Sequence, residues 1–142
     1  MALLNKITPD CFRDLLDELN LTHRKVSDSD FMVPLEADDD FDHNVHIVFC
    51  IQESRMQAWA CVNGYGVENP YEDSLRFCNK WNKEKVMPKA YLDDDGDFIV
   101  EISLFTDEPL DEEYVKTNFI RVSCSFIWSF FKELKSYLDS KN

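Results

Sequence analysis

Two kinds of hydrophobic spacing divide the chain into helical and extended segments. Apolar residues recur at helical intervals from Phe12 to Leu19, directly after a Thr8-Pro9 pair that is typical of a helix start. From Val45 to Ile51 and again from Met56 to Val62, apolar residues occupy every second position. This alternation predicts two antiparallel strands. The intervening positions are not purely polar, so both faces of the sheet are expected to carry apolar side chains.

The segments that flank these strands have weaker signals. Alternation between Arg24 and Leu35 is interrupted by serines and aspartates and includes Pro34, which predicts a short or broken strand at a sheet edge. The Gly64-Tyr65-Gly66 sequence predicts a strand exit that needs positive φ, since the third glycine of a phosphate-binding loop is missing. Asn69 and Pro70 then begin a capping-box pattern that predicts the start of a second helix.

A second hairpin is predicted after this helix. Pro88 ends any helical continuation, and Asp95-Gly96 separates two extended segments. An Asp-Gly pair is typical of a two-residue type I′ turn, in which both central residues have positive φ. With that turn, Leu92 pairs with Ile99, and Tyr91 lies on the core face of the sheet.

The last helix is predicted to begin near Leu110, with acidic residues in its first turn. Its buried stripe is predicted at helical spacing and consists of Val115, Phe119, Val122, Phe126, Phe130 and Leu134. The helix carries further apolar residues, so we expect it to be covered on more than one side. The predicted fold class is α+β, with an antiparallel sheet of about five strands and three helices in the order α-β-β-β-α-β-β-α.

Length and charge narrow the class of protein. The 142 residues suit a single domain spanning positions 1–142. The formal net charge is −13, and the acidic residues recur along the whole chain. Such a charge repels phosphate backbones and anionic lipids, so neither nucleic acid nor a membrane is an expected partner. The charge favours solubility, and it can also attract a basic segment of another protein.

The cysteines indicate a reducing compartment. There are five of them, and none lies close to another in the sequence. Disulfide frameworks show even counts and zinc sites need clustered ligands, so free thiols in the cytoplasm are expected. The N-terminus lacks the hydrophobic stretch of a signal peptide. The apolar segment from Phe119 to Phe131 is too short for a membrane span and contains Arg121, which predicts a buried helix instead.

Candidate catalytic and metal-binding patterns are weak. Four aspartates around Gly96 superficially resemble a calcium loop, but alignment on that glycine places Tyr91 and Ile102 where acidic ligands are needed. His43 and His46 are three positions apart on a predicted strand and therefore point to opposite faces. We find no nucleophile elbow, zinc-binding helix or phosphate loop. No catalytic residue, metal or cofactor is predicted.

The second apolar face of the predicted sheet is the candidate partner or dimer surface. It consists of Val48, Cys50, Trp59, Cys61, Leu92, Ile99 and Phe105. The sequence leaves two alternatives open. Either the second helix covers this face, or the face forms a dimer contact or a groove for a partner chain.

The segment from Phe77 to Leu104 resembles the central signature of the YbjN-like family, which is described as "putative bacterial sensory transduction regulators". The shared pattern is an Asn-x-Trp-Asn helix end, a short basic link, a Pro-x-Ala-Tyr-Leu-Asp strand and an Asp-Gly-Asp turn. The matching residues are Asn79, Trp81, Asn82, Pro88, Tyr91 and Gly96. For them we expect structural roles in helix termination, core anchoring and hairpin closure. The resemblance implies a fold similar to that of type III secretion chaperones and no established catalytic residue.

These observations predict a non-enzymatic, cytoplasmic bacterial protein that binds another protein, as a homodimer, in a regulatory or chaperone-like role. Type III secretion chaperones are small, acidic and dimeric, and the chain shares their size and acidity. One alternative is a small-molecule sensor or unrecognised enzyme with a cavity between the last helix and the sheet, lined by Phe and Trp. Another is a scaffold subunit whose apolar surface is only an assembly interface.

Overall fold

An antiparallel sheet forms one layer of the protein, and three helices form the other. The computed structural model describes residues 4–63, residue 65 and residues 69–141. The predicted strand exit at Gly64 and Gly66 therefore lies outside the described residues. The predicted α+β class is confirmed, with additional short strands that the sequence pattern did not indicate.

The strands are β1 Leu4–Asn5, β2 Arg24–Lys25, β3 Asp30–Leu35, β4 Val45–Ile51, β5 Arg55–Cys61, β6 Lys89–Leu92, β7 Phe98–Phe105 and β8 Leu110–Asp111. Six of them form the main sheet in the order β2-β3-β4-β5-β7-β6, and β1 pairs with β8. The weak segment from Arg24 to Leu35 is a small hairpin, because Ser27, Asp28 and Ser29 between β2 and β3 reverse the direction of the chain.

The first two helices are α1 at Pro9–Glu18 and α2 at Tyr71–Glu84. The start of α1 is as predicted, since the Thr8 hydroxyl accepts a hydrogen bond from the Cys11 N–H at 3.1 Å. The predicted cap of α2 by Asn69 is wrong. Pro70 takes the cap position, and its carbonyl oxygen accepts from the Asp73 N–H at 3.0 Å.

The last helix, α3, has three parts, an α-helical turn at Glu112–Val115, a π-helical segment at Lys116–Ile120 and a long α-helical segment at Arg121–Asp139. A π-helical turn contains more residues than an α-helical one, so the side chains that follow change their direction. The buried stripe consequently moves from the predicted Val122 and Phe126 to Ser123 and Ile127.

The core lies between the helices and one face of the sheet, called the inner face. The Phe12 ring of α1 lies 5.3 Å from Phe49 of β4 and 6.4 Å from Phe119 of α3. On the other side of α3, the Phe130 ring lies 5.2 Å from Trp81 of α2. Because α2 packs on the same layer as α1 and α3, it does not cover the second face of the sheet. That alternative is wrong.

The hairpin of β6 and β7 has a three-residue loop rather than a two-residue type I′ turn. The Gly96 N–H donates to the Asp93 carbonyl oxygen at 3.0 Å, and Gly96 has a φ of +87°, whereas Asp95 stays at negative φ. The added loop residue shifts the pairing, so Leu92 faces Phe98 and Tyr91 faces Ile99. Leu92 therefore lies on the inner face and Tyr91 on the opposite face, the reverse of the prediction.

Candidate partner-binding surface

The second side of the main sheet, called the outer face, has none of the described helices over it. Residues that face each other across antiparallel strands point to the same side, so the strand registers define rows of neighbouring side chains. The central row is Arg24, Met32, Val48, Trp59, Glu101 and Lys89. The row beside it is Pro34, His46, Cys61, Ile99 and Tyr91. The remaining pairings add Asp30, Cys50, Gln57, Ser103, Arg55 and Phe105.

The structure places six of the seven predicted surface residues on this outer face. They are Val48, Cys50, Trp59, Cys61, Ile99 and Phe105. Phe105 is 75% exposed at the end of β7, and the other five are partly covered by their neighbours in the sheet. Leu92 is the exception, since the register of the hairpin turns it toward the core.

A polar cluster around Glu101 occupies the β7 side of the outer face. The Glu101 carboxylate lies 3.0 Å from the Lys89 ammonium, and it accepts hydrogen bonds from the Tyr91 hydroxyl at 3.3 Å and the Gln57 amide at 3.4 Å. The Lys89 ammonium also lies 5.3 Å from the centre of the Tyr91 ring. The negative charge of Glu101 is therefore matched on the surface itself.

The outer face as a whole is nearly neutral in a strongly acidic protein. Its rows contain three basic side chains, Arg24, Arg55 and Lys89, and two acidic ones, Asp30 and Glu101. The complete chain has a formal charge of −13. The excess negative charge thus lies on the helices and loops.

The thiols of the outer face are poor nucleophiles. Burial, with a smaller contribution from Asp30, raises the pKa of the Cys50 thiol to about 11. Burial and the nearby Asp97 and Asp93 carboxylates raise the pKa of Cys61 to about 11 as well. At neutral pH both side chains are protonated, and the thiolate is the form that attacks substrates or binds metals.

The other three cysteines are equally unsuited to nucleophilic chemistry. Burial raises the pKa of Cys78 and of Cys124 to about 11. Burial, together with a hydrogen bond from the Cys11 thiol to Glu112 at 3.1 Å, raises the pKa of Cys11 to about 12. All five cysteines are free thiols.

Two signature residues, Trp81 and Asn82, attach the end of α2 to the start of β6. The Trp81 indole N–H donates to the Pro88 carbonyl oxygen at 2.9 Å. The Asn82 amide accepts from the Ala90 N–H at 3.0 Å and donates to the Ala90 carbonyl at 2.9 Å. Because β6 is the edge of the sheet, Asn82 satisfies backbone groups that a neighbouring strand would otherwise pair. The geometry gives both residues a structural role.

The remaining signature residues differ in what they contact. Pro88 is buried beneath Trp81, and Gly96 supplies the positive φ of the hairpin loop. Tyr91 is 38% exposed on the outer face and is not the core anchor that the sequence predicted. Asn79 is exposed, and its side chain makes no hydrogen bond among the residues that the structure describes.

A groove of about 510 Å³, called the α3 groove, opens at the margin of the helical layer. Its floor is apolar and includes Leu19, Leu21, Leu35 and Trp128, which pack against the edge of the core. Glu36, Asp38 and Arg121 stand at its rim. Sequence reasoning did not identify the lining residues, because they come from segments far apart in the chain. The cavity that the sequence suggested between the last helix and the sheet is filled in the middle by aromatic rings such as Phe119 and Phe49, at most 1% exposed, whereas the α3 groove opens between α3 and the end of β3.

Three aspartates of the hairpin loop come close together. Carboxylate oxygens of Asp93, Asp95 and Asp97 lie within 4.8 Å of one another. The Asp93 carboxylate accepts from the N–H groups of Asp95 and Asp97, each at 2.9 Å, which is a turn-forming role. Calorimetric titration with calcium would reveal a tight stoichiometric site if these oxygens bound an ion. His43 and His46 are both exposed and lie outside this cluster.

Comparison with known proteins identifies the family. Among the described residues, no helix is both long and apolar enough to cross a membrane. No curated protein matches the sequence. The fold is similar to the crystal structure of YbjN from E. coli, described as "a putative transcription regulator", with a TM-score of 0.69 and 20% identity over 95% of this chain and 96% of that chain. An uncharacterized protein from Methanothermobacter thermautotrophicus aligns with a TM-score of 0.49 and 14% identity over 89% of this chain and 99% of that chain.

The family profile agrees with the signature described above. The profile of YbjN, "Putative bacterial sensory transduction regulator", matches residues 8–124. This range includes α1, the main sheet, the signature from Asn79 to Gly96 and the start of α3. The chain therefore belongs to the YbjN family.

Proposed function

We propose that this chain is a non-enzymatic regulatory protein that acts by binding other proteins, and that it works as a homodimer joined through its outer face. One observation carries the proposal. The outer face places Trp59 and Val48 side by side in the middle of the sheet, and none of the described helices covers them. The description of the family supports a regulatory role.

The distribution of charge favours a second copy of the chain as the occupant of this face. Two molecules that each carry a charge of −13 repel one another through most of their surface. The repulsion is smallest where the charges balance, which is the outer face. In a two-fold dimer the same patch meets itself, so residues of both signs can pair across the contact.

The outer face is also of the size that a dimer needs. Five strands spaced about 4.8 Å apart and about 20 Å long cover roughly 500 Å² in projection. The accessible area of such a corrugated surface is larger than its projection, and a standard protein interface buries about 800 Å² on each partner. Trp59 near the centre is the type of residue that dominates interface energies.

Protein binding explains the chemistry of the chain better than catalysis or nucleic-acid binding. The raised pKa values of the five thiols argue against a cysteine nucleophile. The E. coli relative is described as "a putative transcription regulator". A chain with a charge of −13 would influence transcription through protein contacts, since DNA phosphates repel it.

We further propose that the protein is cytoplasmic and that residues 1–142 form one domain. Five free thiols support a reducing compartment, and the described residues share a continuous hydrophobic core. We also propose a chaperone-like mode of action, in which an acidic dimer holds a segment of another protein. The acidity supports this mode, together with the type III secretion chaperone-like fold that the resemblance implies.

The α3 groove favours a second candidate, a sensor for a small molecule. Its volume of about 510 Å³ is within the range of ligand pockets, which is about 300–1,000 Å³. Ligand pockets usually enclose most of their ligand, however, and the rim residues Glu36, Arg121 and Ser125 are exposed. A surface groove of this kind suits a protein segment better than a small molecule.

Sedimentation velocity on two arginine variants tests the dimer. At about 500 μM, well above the dissociation constant of a dimer with micromolar affinity, the wild type should sediment with twice the chain mass of 16.7 kDa. Trp59→Arg buries a charge in the contact and should weaken the dimer about 100-fold. Tyr114→Arg is the control, because Tyr114 is 46% exposed on the helical side. A monomeric wild type, or equal effects of the two variants, contradicts the dimer. Affinity purification from native cells that recovers no partner contradicts the regulatory role.

A further inference from the structure

The α3 groove meets the outer face at Pro34, and it has its own aromatic anchor. The Trp128 ring lies in the floor of the groove and is supported from behind by Phe41, whose ring centre is 5.7 Å away. Phe41 itself is completely buried, and its ring lies 5.5 Å from Phe131. Trp128 is therefore a rigid, half-buried surface, as found at the centres of protein-binding sites.

The wall of the groove that α3 forms has a shape against which another helix can pack. Along α3, Arg121, Cys124, Ser125 and Trp128 follow the spacing of a single helical stripe. Cys124 and Ser125 are small and lie between two large side chains, which makes a notch. The stripe is about 10 Å long, or two helical turns. Helices pack by inserting the side chains of one into such depressions of the other.

The opposite wall is unsuited to an added strand. Only Phe31 and Met32 of β3 pair with β2, so the end of β3 near the groove is a free edge. Pro34 lies on this edge and has no N–H to offer to an incoming strand. An occupant of the groove therefore has to bind through its side chains.

The charge of the rim specifies the polarity of the occupant. Residues 36–42 contain five acidic side chains, of which Asp40 pairs with Lys132 at 3.5 Å, while Glu36 and Asp38 stand at the groove itself. The loop is held in place by its own hydrogen bonds. The Asp38 carboxylate accepts from the N–H groups of Asp40 at 2.8 Å and Phe41 at 3.0 Å. The negative field is thus fixed before any partner arrives, and it attracts cations.

We propose that the α3 groove binds an amphipathic helical segment of a partner protein, with apolar side chains on Trp128 and basic residues against the loop 36–42. This inference rests on the proposed function, because it identifies where the regulated protein binds. It leaves the outer face free for the second copy of the chain. Arg121 would form an ion pair with an acidic residue on the other side of the segment.

The three tryptophans allow each surface to be observed separately. Trp59 reports on the outer face and Trp128 on the groove, while Trp81 is 4% exposed and serves as an internal reference. The probe is a synthetic peptide of about 14 residues, roughly 21 Å as a helix, with leucines at helical spacing and lysines elsewhere. The control peptide has glutamate in place of every lysine. Nuclear magnetic resonance follows the indole N–H signals, assigned with Trp→Phe variants.

The cationic peptide should shift the Trp128 signal and leave Trp81 unchanged, and the anionic peptide should shift neither. The variant Ser125→Phe fills the notch and should weaken binding at least about tenfold, because the peptide loses its packing site. Ser136→Phe is the control, since Ser136 is also exposed on α3. Both positions face solvent, so we expect both variants to fold.

A second pair of variants tests the charge of the rim. Glu36→Gln with Asp38→Asn removes two negative charges, and the asparagine retains the oxygen that accepts the loop hydrogen bonds. This pair should weaken binding of the cationic peptide about tenfold at low salt. Glu53→Gln with Asp107→Asn makes the same change of net charge at exposed positions elsewhere and should change binding less than about twofold.

Several outcomes would overturn the groove as the binding site. They are the absence of any Trp128 shift, equal shifts with both peptides, a shift of Trp59 instead, or equal losses in the two members of either variant pair. These outcomes are distinguishable from failure of the dimer. Sedimentation and the Trp59 signal report the dimer, whereas Trp128 reports the groove alone.

Discussion

Residues of the inner and outer faces alternate along the same strands, yet the two sets lie in different surroundings. On β4, Ile47 and Phe49 point to the inner face and are completely buried under the helices. Val48 lies between them and points to the outer face, where Trp59 is its neighbour. Packing within the chain explains the inner face. It does not explain apolar residues on a face that none of the described helices covers, and this is the face that we propose as the contact with a second copy of the chain.

The largest contrast is expected between two phenylalanines of α3. Phe130 is completely buried and contacts Phe77, Trp81, Phe98 and Phe131, whereas Phe126 is 41% exposed. Phe130→Ala should lower the free energy of unfolding by about 3–5 kcal/mol, because it leaves a cavity in the core. Phe126→Ala should cost less than about 1 kcal/mol. Urea unfolding of both variants measures the difference. Similar losses would contradict the assignment of the buried side of α3.

A smaller contrast separates the two asparagines of the family signature. Asn82→Ala removes both hydrogen bonds to Ala90 and should lower the free energy of unfolding by about 1–3 kcal/mol. Asn79→Ala should change it by less than about 0.5 kcal/mol, because the Asn79 side chain makes no hydrogen bond among the described residues. Neither variant should alter the dimer, since neither residue lies on the outer face. If the Asn82→Ala variant is fully folded but no longer dimerises, Asn82 belongs to the interface.

The smallest expected effect is a change in the alkylation rate of a single cysteine. Burial raises the pKa of Cys61 and of Cys124 to about 11, so both thiols stay protonated at pH 7–9. Their alkylation rates should rise about tenfold per pH unit until the pH approaches 11. At fixed pH, the variant Trp59→Arg should speed alkylation of Cys61, which lies in the proposed dimer contact, and leave Cys124 unchanged. Mass spectrometry after iodoacetamide treatment measures each site. Equal rates at Cys61 in wild type and variant would contradict the contact.

The sequence predicts those parts of the fold that depend on local repetition. The alternation in β4 and β5 and the cap of α1 are visible in a few neighbouring residues, and the structure contains them as predicted. β1 and β8 were not predicted, because a strand of two residues has no period to detect. The π-helical segment of α3 was missed for a related reason. Its Lys-Thr-Asn-Phe-Ile sequence has no composition that differs from an ordinary helix.

The two candidate surfaces differ in how far apart along the sequence their residues lie. The outer face was predicted because alternate positions of single strands already reveal it, and the one wrong member, Leu92, follows from a loop one residue longer than assumed. The residues that line the α3 groove were not predicted, because Leu21, Leu35 and Trp128 meet only in the folded chain. The periodicity of a sequence identifies the faces of single helices and strands. A groove between such elements can be identified only when their packing is known.

The most direct test of the outer face as the site of self-association is a dilution series of the wild type observed through its three indole N–H signals. Between about 500 and 5 μM, dissociation of a dimer with micromolar affinity changes the surroundings of the contact residues only. If the outer face joins two copies of the chain, the Trp59 signal shifts on dilution, while the Trp81 and Trp128 signals stay in place. A Trp59 signal that is independent of concentration, or a shift confined to Trp128, would contradict this contact.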